Sequence, residues 1–212
     1  MPKLTFENLP FDKKQRIIES ALIEFTAKGY EKGNIETIAL QARVSKGSIY
    51  QYFLDKKELY LFLIQHVIDI TGREVRKCFD KKMITNIPDL FYEGNRVLWP
   101  LMKEFRNESL FIMAAEFESD AGIRHAMNEL SERSALEMYL PIIKKQQKEG
   151  QLRNDIEGEI ILLYLEGISG RFKKYLRDFV EKKGKTIIEL EFKECERILM
   201  DLKQLIEQGI LC

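Results

Sequence analysis

The stretch Asn34–Lys57 reads NIETIALQARVSKGSIYQYFLDKK, and it has the form of two short helices joined by a tight turn. Asn34 can cap the first helix, because its side-chain oxygen accepts one of the free amides of the opening turn. Ile35, Ile38, Ala39 and Ala42 recur at helical spacing and make one apolar face. Val44 follows as an anchor in the turn. Ser45 offers a second cap, and Ile49 and Phe53, four residues apart, give the second helix (about 45–53) its share of the same small core. Lys46, Ser48, Tyr50 and Gln51 are left projecting outward, a patch of donors and flat rings.

A helix-turn-helix lays its second helix in the major groove of DNA, with the first residues of that helix nearest the bases and backbone. Here those residues are Ser45, Lys46, Gly47 and Ser48. Lys46 suits a phosphate or a guanine edge, Ser48 a base edge or a phosphate, and Gln51 can pair bidentately with adenine. Tyr50 and Tyr52 can donate hydroxyls to phosphate, and Gly47 lets the backbone approach the sugar-phosphate chain. On composition alone the alternative is a solvated helix with part of its aromatic surface packed.

The run Val44-Ser45-Lys46-Gly47-Ser48-Ile49-Tyr50-Gln51-Tyr52-Phe53, followed by Asp55-Lys56-Lys57-Glu58-Leu59, resembles the signature of the TetR family of bacterial transcriptional regulators. The likeness extends upstream through Ile17-Ile18-Glu19-Ser20-Ala21-Leu22-Ile23-Glu24-Phe25, closed by Gly29-Tyr30, and covers roughly residues 12–65. It implies DNA contacts from Thr37 in the first helix, from Lys46, Gly47, Ser48, Tyr50, Gln51 and Tyr52 in the second, and from Lys56 beyond it. Two departures stand out. Gly33-Asn34 replaces the family's usual Thr-Thr, and Arg43 replaces a turn glycine. Asn34 preserves the cap. Arg43 implies a turn backbone that tolerates a side chain, and its cation adds a candidate phosphate contact.

With 212 residues and 45% apolar content the chain can bury a substantial core. Its 34 acidic and 34 basic residues cancel, so attraction to DNA must be local. Residues 34–57 carry a net charge of +2, which predicts moderate salt dependence. Cys78, Cys195 and Cys212 form an odd set without close pairing, and no run of 18 apolar residues or secretory leader is present, which fits a reducing cytoplasm and no membrane association. His66 and His125 sit in no ligand spacing, so no metal is expected. No nucleophile elbow, phosphate loop or dinucleotide fingerprint accompanies them, and neither catalytic residues nor a cofactor is expected.

The remaining chain reads as helical. Met1–Pro10, with two prolines, is expected to be a mobile arm whose Lys3 reaches a groove or stays in water. A leader helix is expected from Phe11 to Lys28, ended by Gly29. Asp55 and Glu58 form a capping-box pattern that opens a long helix through Leu59, Phe62, Leu63, His66, Val67 and Ile70 toward Arg76. Three helices are expected between Pro88 and Gly150, with breaks near Pro88, Pro100, Asn107 and Gly122. This stretch is rich in aromatic and methionine side chains, which describe either ordinary core or the lining of a small-molecule pocket. The candidate lining combines Phe62 and His66 with Phe91, Trp99, Met102 and Phe105. Met113, Glu116, Phe117 and Tyr139 complete it. An inward Glu116 would favour a cationic or hydroxyl-bearing ligand.

Two further helices are expected, about 156–182 and 186–208. The first carries Tyr164, Gly167, Ile168 and Phe172. The second repeats Ile188, Phe192, Cys195, Leu199, Leu202 and Ile206 in alternating steps of four and three, the heptad spacing of a bundle seam. Either the pair caps its own core, or, as the family resemblance implies, it meets its twin through Tyr164, Gly167, Ile168, Phe172, Phe192, Cys195, Leu199 and Leu202. The expected fold is therefore all-α, with about nine helices. A three-helix DNA-binding domain spans 1–55, and a larger regulatory domain spans 56–212, with a ligand-binding core at 60–150 and dimerisation helices at 156–208. The expected function is that of a homodimeric repressor that binds an inverted-repeat operator and is released by a small, largely apolar or aromatic effector. The alternatives are a DNA-binding regulator whose helical domain senses a protein partner, and an enzyme using the aromatic pocket.

Overall fold

The structure, a computed structural model, describes residues 2–81 and 86–211; Cys212 lies outside them. In chain order the helices are α1 (Leu4–Glu7), α2 (Phe11–Lys32), α3 (Ile35–Gln41), α4 (Lys46–Tyr52), α5 (Lys56–Asp80), α6 (Ile87–Asp89), α7 (Asn95–Glu104), α8 (Arg106–Ala115), α9 (Ala121–Lys148), α10 (Gly158–Lys182) and α11 (Glu196–Ile210). A π-helical turn, Leu90–Gly94, joins α6 to α7, and 3₁₀ turns at Ile187–Glu189 and Phe192–Glu194 precede α11. The all-α class with an N-terminal helix-turn-helix is as the sequence predicts. The chain forms two compact units, residues 1–70 with 105–131, and 71–104 with 132–212.

In the first unit, α2 lays Ile17, Ile18, Ala21, Leu22 and Phe25 into a core shared with α3, which in turn packs on α4, and α8 packs across α2 through Phe111 and Ala115. Tyr60 of α5 is the largest fully buried side chain. Its ring meets Phe25, Tyr30 and Phe111 edge-on at 5.0, 5.4 and 5.1 Å. Each such ring contributes roughly 1.5–3 kcal/mol by its burial. Gly29, with φ 70°, interrupts α2 where the sequence predicts its end, but helical turns resume as far as Lys32. A side chain at Gly33 would collide with the Phe25 ring.

Residues 4–7 of the expected mobile arm fold as α1. Phe6 in α1 is completely buried, with its ring 4.8 Å from Phe53 and 5.2 Å from Phe62. One aromatic anchor outweighs the two prolines that suggested disorder.

In the second unit, Asn86 caps α6 by accepting the Asp89 amide at 2.8 Å. The buried Gln146 accepts the Ile87 amide at 3.1 Å. Pro100 causes no break and lies inside α7, while the chain turns at Phe105 (φ −98°, ψ 55°). The expected helix over 186–208 also requires correction. Glu189 folds back on the amide of Thr186, and Glu194 on that of Glu191, at 2.6 and 3.0 Å. These two reciprocal caps hold successive short turns, so the α-helix starts only at Glu196. Ile188, Cys195, Leu199 and Ile206 of the heptad seam are buried within this unit.

Candidate nucleic-acid interface

Asn34 accepts the Glu36 amide at 2.7 Å and so starts α3. Its own amide is held at 3.0 Å by Glu24, a buried carboxylate that also pairs with Lys28 at 2.8 Å. α3 ends in a Schellman motif: the Val44 amide donates to the Ala39 carbonyl at 2.9 Å and the Arg43 amide to that of Leu40 at 3.1 Å. Arg43 sits at φ 56°. The turn thus keeps the left-handed geometry that favours glycine, and Arg43 adopts it at a cost. Its side chain is exposed.

Ser45 then caps α4, its hydroxyl accepting the Ser48 amide at 3.0 Å and lying 2.8 Å from the Ser48 hydroxyl. Ile49 and Phe53 are buried as expected, and Lys46, Gly47, Tyr50 and Gln51 are exposed. Ser48 and Thr37 are partly exposed beside them. Lys46 is tied to Glu36 of α3 at 2.6 Å. That hydrogen bond, with the attraction of the two charges, lowers the Glu36 carboxyl and raises the Lys46 ammonium from their ordinary pKa values.

Two expected DNA contacts face elsewhere. Tyr52 is 5% exposed and packs 5.9 Å from Phe6, because a residue three after Ile49 shares its inward face. The ammonium of Lys56 donates to the carbonyls of Glu31 and Gly33 at 2.9 and 3.2 Å and lies over the Tyr30 ring, closing the end of α2.

Sequence reasoning missed a second buried carboxylate, Glu118, in the α8–α9 connection. It accepts the Tyr30 amide at 2.8 Å, where Gly29 has broken α2, and the Ser119 amide at 2.8 Å; the Tyr60 hydroxyl lies at 3.5 Å. Burial opposes its ionisation, but hydrogen bonds from Tyr30, Asp120 and Ser119 prevail and hold the carboxyl below its usual range. The turn-forming run Glu118-Ser119-Asp120 before α9 was a readable signal; its tie to residue 30 was not. Glu116 is only partly buried.

The candidate pocket residues divide between the units. In the first, Phe62 stacks on His66 at 6.1 Å, Phe105 and Met113 are partly buried, and Phe117 is 45% exposed. In the second, Phe91 packs on Phe172 at 5.7 Å, and Trp99 meets Phe192 and donates to the Leu190 carbonyl at 2.9 Å. Met102 and Tyr139 there are partly exposed. Burial pushes the Tyr139 phenol up to about 12. An opening of about 300 Å³ in the second unit is lined mainly by polar groups, among them Lys144, Gln147, Asn154 and Asp155.

Of the expected dimer contacts, Tyr164 and Gly167 are exposed, Ile168, Phe192 and Leu202 are partly so, and Phe172, Cys195 and Leu199 are buried within the protomer. The outward face of α10 instead carries Ile160, Leu163 and Tyr175 beside Tyr164 and Gly167. Among the described residues, no three His, Cys, Asp or Glu side chains could hold a metal, and no helix is long and apolar enough to cross a membrane.

A capped two-helix head presenting Lys46, Tyr50 and Gln51 defines a helix-turn-helix protein. Residues 17–62 match the family described as bacterial regulatory proteins, tetR family, so the likeness to that family is carried by this head. It is 27% identical over 115 residues, 54% of its length, to the uncharacterized HTH-type transcriptional regulator YhgD of Bacillus subtilis, and spans 57% of that relative. In fold it resembles the fatty acid degradation regulator FadR of Bacillus halodurans (TM-score 0.69, 16% identity, 91% of this chain and 96% of that one). It also resembles FadR of Bacillus subtilis in complex with stearoyl-CoA (TM-score 0.65, 18% identity, 89% and 96%).

Proposed function

We propose that this protein is a homodimeric transcriptional repressor that binds an inverted-repeat DNA operator through α4 and leaves it on binding a small, largely apolar or aromatic effector. The observation that carries the reading is the division of α4: Ile49 and Tyr52 are buried, while Lys46, Gly47, Tyr50 and Gln51 stand in solvent on a rigid support. An isolated head has little charge to hold DNA, and two heads about 34 Å apart on one face of the duplex would double the contacts. The exposed apolar face of α10 supports pairing of two chains. The stearoyl-CoA complex of the similar FadR fold supports an effector of apolar character. The aromatic and methionine residues Phe91, Trp99, Met102 and Tyr139 are the side chains assigned to it. The effector can weaken DNA binding only through its preference for one state, typically ~1–3 kcal/mol or about 5–150-fold.

The test is selection of bound duplexes from a random pool, with native mass measured on the same protein and Lys46→Ala and Tyr50→Ala run beside it. A dimer recovering an inverted repeat that both variants fail to hold is the expected result. A folded dimer that enriches no sequence would refute it.

A further inference from the structure

α4 has only seven residues, and its last-turn carbonyls need partners from elsewhere. The carbonyl of Ile49 accepts the Phe53 amide at 2.9 Å. The next three all accept from the arm. Tyr50 takes the Lys3 ammonium at 3.0 Å, Gln51 the Thr5 hydroxyl at 3.0 Å, and Tyr52 the Lys3 amide at 2.9 Å. Phe6 pins the arm beneath them, against Tyr52 and Phe53, and the ammonium groups of Lys13 and Lys14 lie over the Tyr52 and Phe6 rings at 5.7 and 5.5 Å. A cation at this end of a helix also complements the negative pole of its dipole.

We infer that the arm Lys3–Phe6 is a positioning element of the DNA-reading head, with Lys3 and Thr5 setting the angle and rigidity of α4. The arm precedes the segment 17–62 that matches the family. Seven residues are too few to hold a helix by their own hydrogen bonds, so the pose of Tyr50 and Gln51 depends on the clamp at their carbonyls. Base contacts require that pose, whereas phosphate attraction to Lys46 does not. Losing the clamp therefore costs discrimination between sequences more than attraction to DNA in general. This deepens the DNA-binding reading and rests on it.

The experiment compares Thr5→Val, Thr5→Ser and Lys3→Met in the full chain with two readouts: amide exchange across residues 46–53 without DNA, and the ratio of affinities for the selected operator and a scrambled duplex at one salt concentration. Thr5→Val and Lys3→Met are expected to speed exchange in 46–53 by about fivefold each, the equivalent of one hydrogen bond, with the rest of the first unit unchanged. The affinity ratio falls by about three- to tenfold while scrambled-duplex affinity holds, and Thr5→Ser retains both. Unchanged exchange and ratio overturn the inference. Faster exchange throughout the unit with an unchanged ratio also overturns it, because the arm would then serve stability alone. If the parent protein selects no operator, the regulator reading fails, and the exchange readout still decides whether the arm holds α4.

Discussion

Replacing Glu118 by alanine removes the tie between the α8–α9 connection and the broken end of α2. The Tyr30 amide, 2.8 Å from the carboxylate, loses a charge-assisted bond worth roughly 1.5–3 kcal/mol. Tyr60 has its hydroxyl 3.5 Å away, a long contact that adds about 0.5 kcal/mol. The Ser119 and Asp120 amides also lose their acceptor, but these residues are exposed and water replaces it. Destabilisation of the first unit by about 2–3 kcal/mol follows for Glu118→Ala, and about half that for Glu118→Gln, which keeps one acceptor oxygen. The sign with pH is fixed by a carboxyl held below its usual value. Its contribution is complete above about pH 4.5 and is lost as pH falls through the folded-state pKa, so the deficit of Glu118→Gln shrinks on acidification. Urea unfolding followed by far-UV circular dichroism at pH 7 and pH 4, with amide exchange at Tyr30, measures both effects. The single tryptophan, Trp99, lies in the second unit and serves as an internal control. A Glu118→Ala protein within about 0.5 kcal/mol of the parent, as for an ordinary surface change, with Tyr30 exchange unaltered, would refute the reasoning.

Arg43→Gly relieves a left-handed residue and is expected to raise stability by about 0.5 kcal/mol after the added freedom of the unfolded chain is offset; a lower urea midpoint would contradict it. Glu36→Gln frees Lys46 for phosphate and takes a negative charge away from the duplex, so affinity rises about two- to fivefold and the salt slope steepens. Titration at two salt concentrations decides this, and weaker binding would show that the carboxylate itself helps to bind. Leu163→Asp places a charge on the exposed face of α10 and should weaken self-association by more than about a hundredfold without unfolding the protomer. An unchanged sedimentation coefficient would remove α10 from the interface.

The head was legible because its determinants are local. Asn34 and Ser45 cap what they precede, and the i, i+3, i+4 spacing of Ile35, Ile38, Ala39 and Ile49 identifies the buried face within a few residues. The same spacing applied to Tyr52 would have placed it inside. Other features rest on contacts distant in sequence: Phe6 with Phe53, Lys56 with Glu31, and Glu118 with Tyr30. A proline-bearing arm or a lone carboxylate gives no local sign of such partners. The C-terminal seam was legible only in part, for a different reason. A heptad period states that one face is apolar but not what covers it. Ile188, Cys195, Leu199 and Ile206 cover their own unit, while Ile160, Leu163 and Tyr164 of α10 do not.

The most direct measurement of the central claim is the amide-exchange footprint of the dimer on its selected duplex. Protection is predicted at residues 34–37 and 43–51, strongest at Lys46–Gln51, and absent from the exposed edge of α9. A footprint on the second unit that leaves Lys46–Gln51 unprotected would contradict the assignment of α4 as the reading helix.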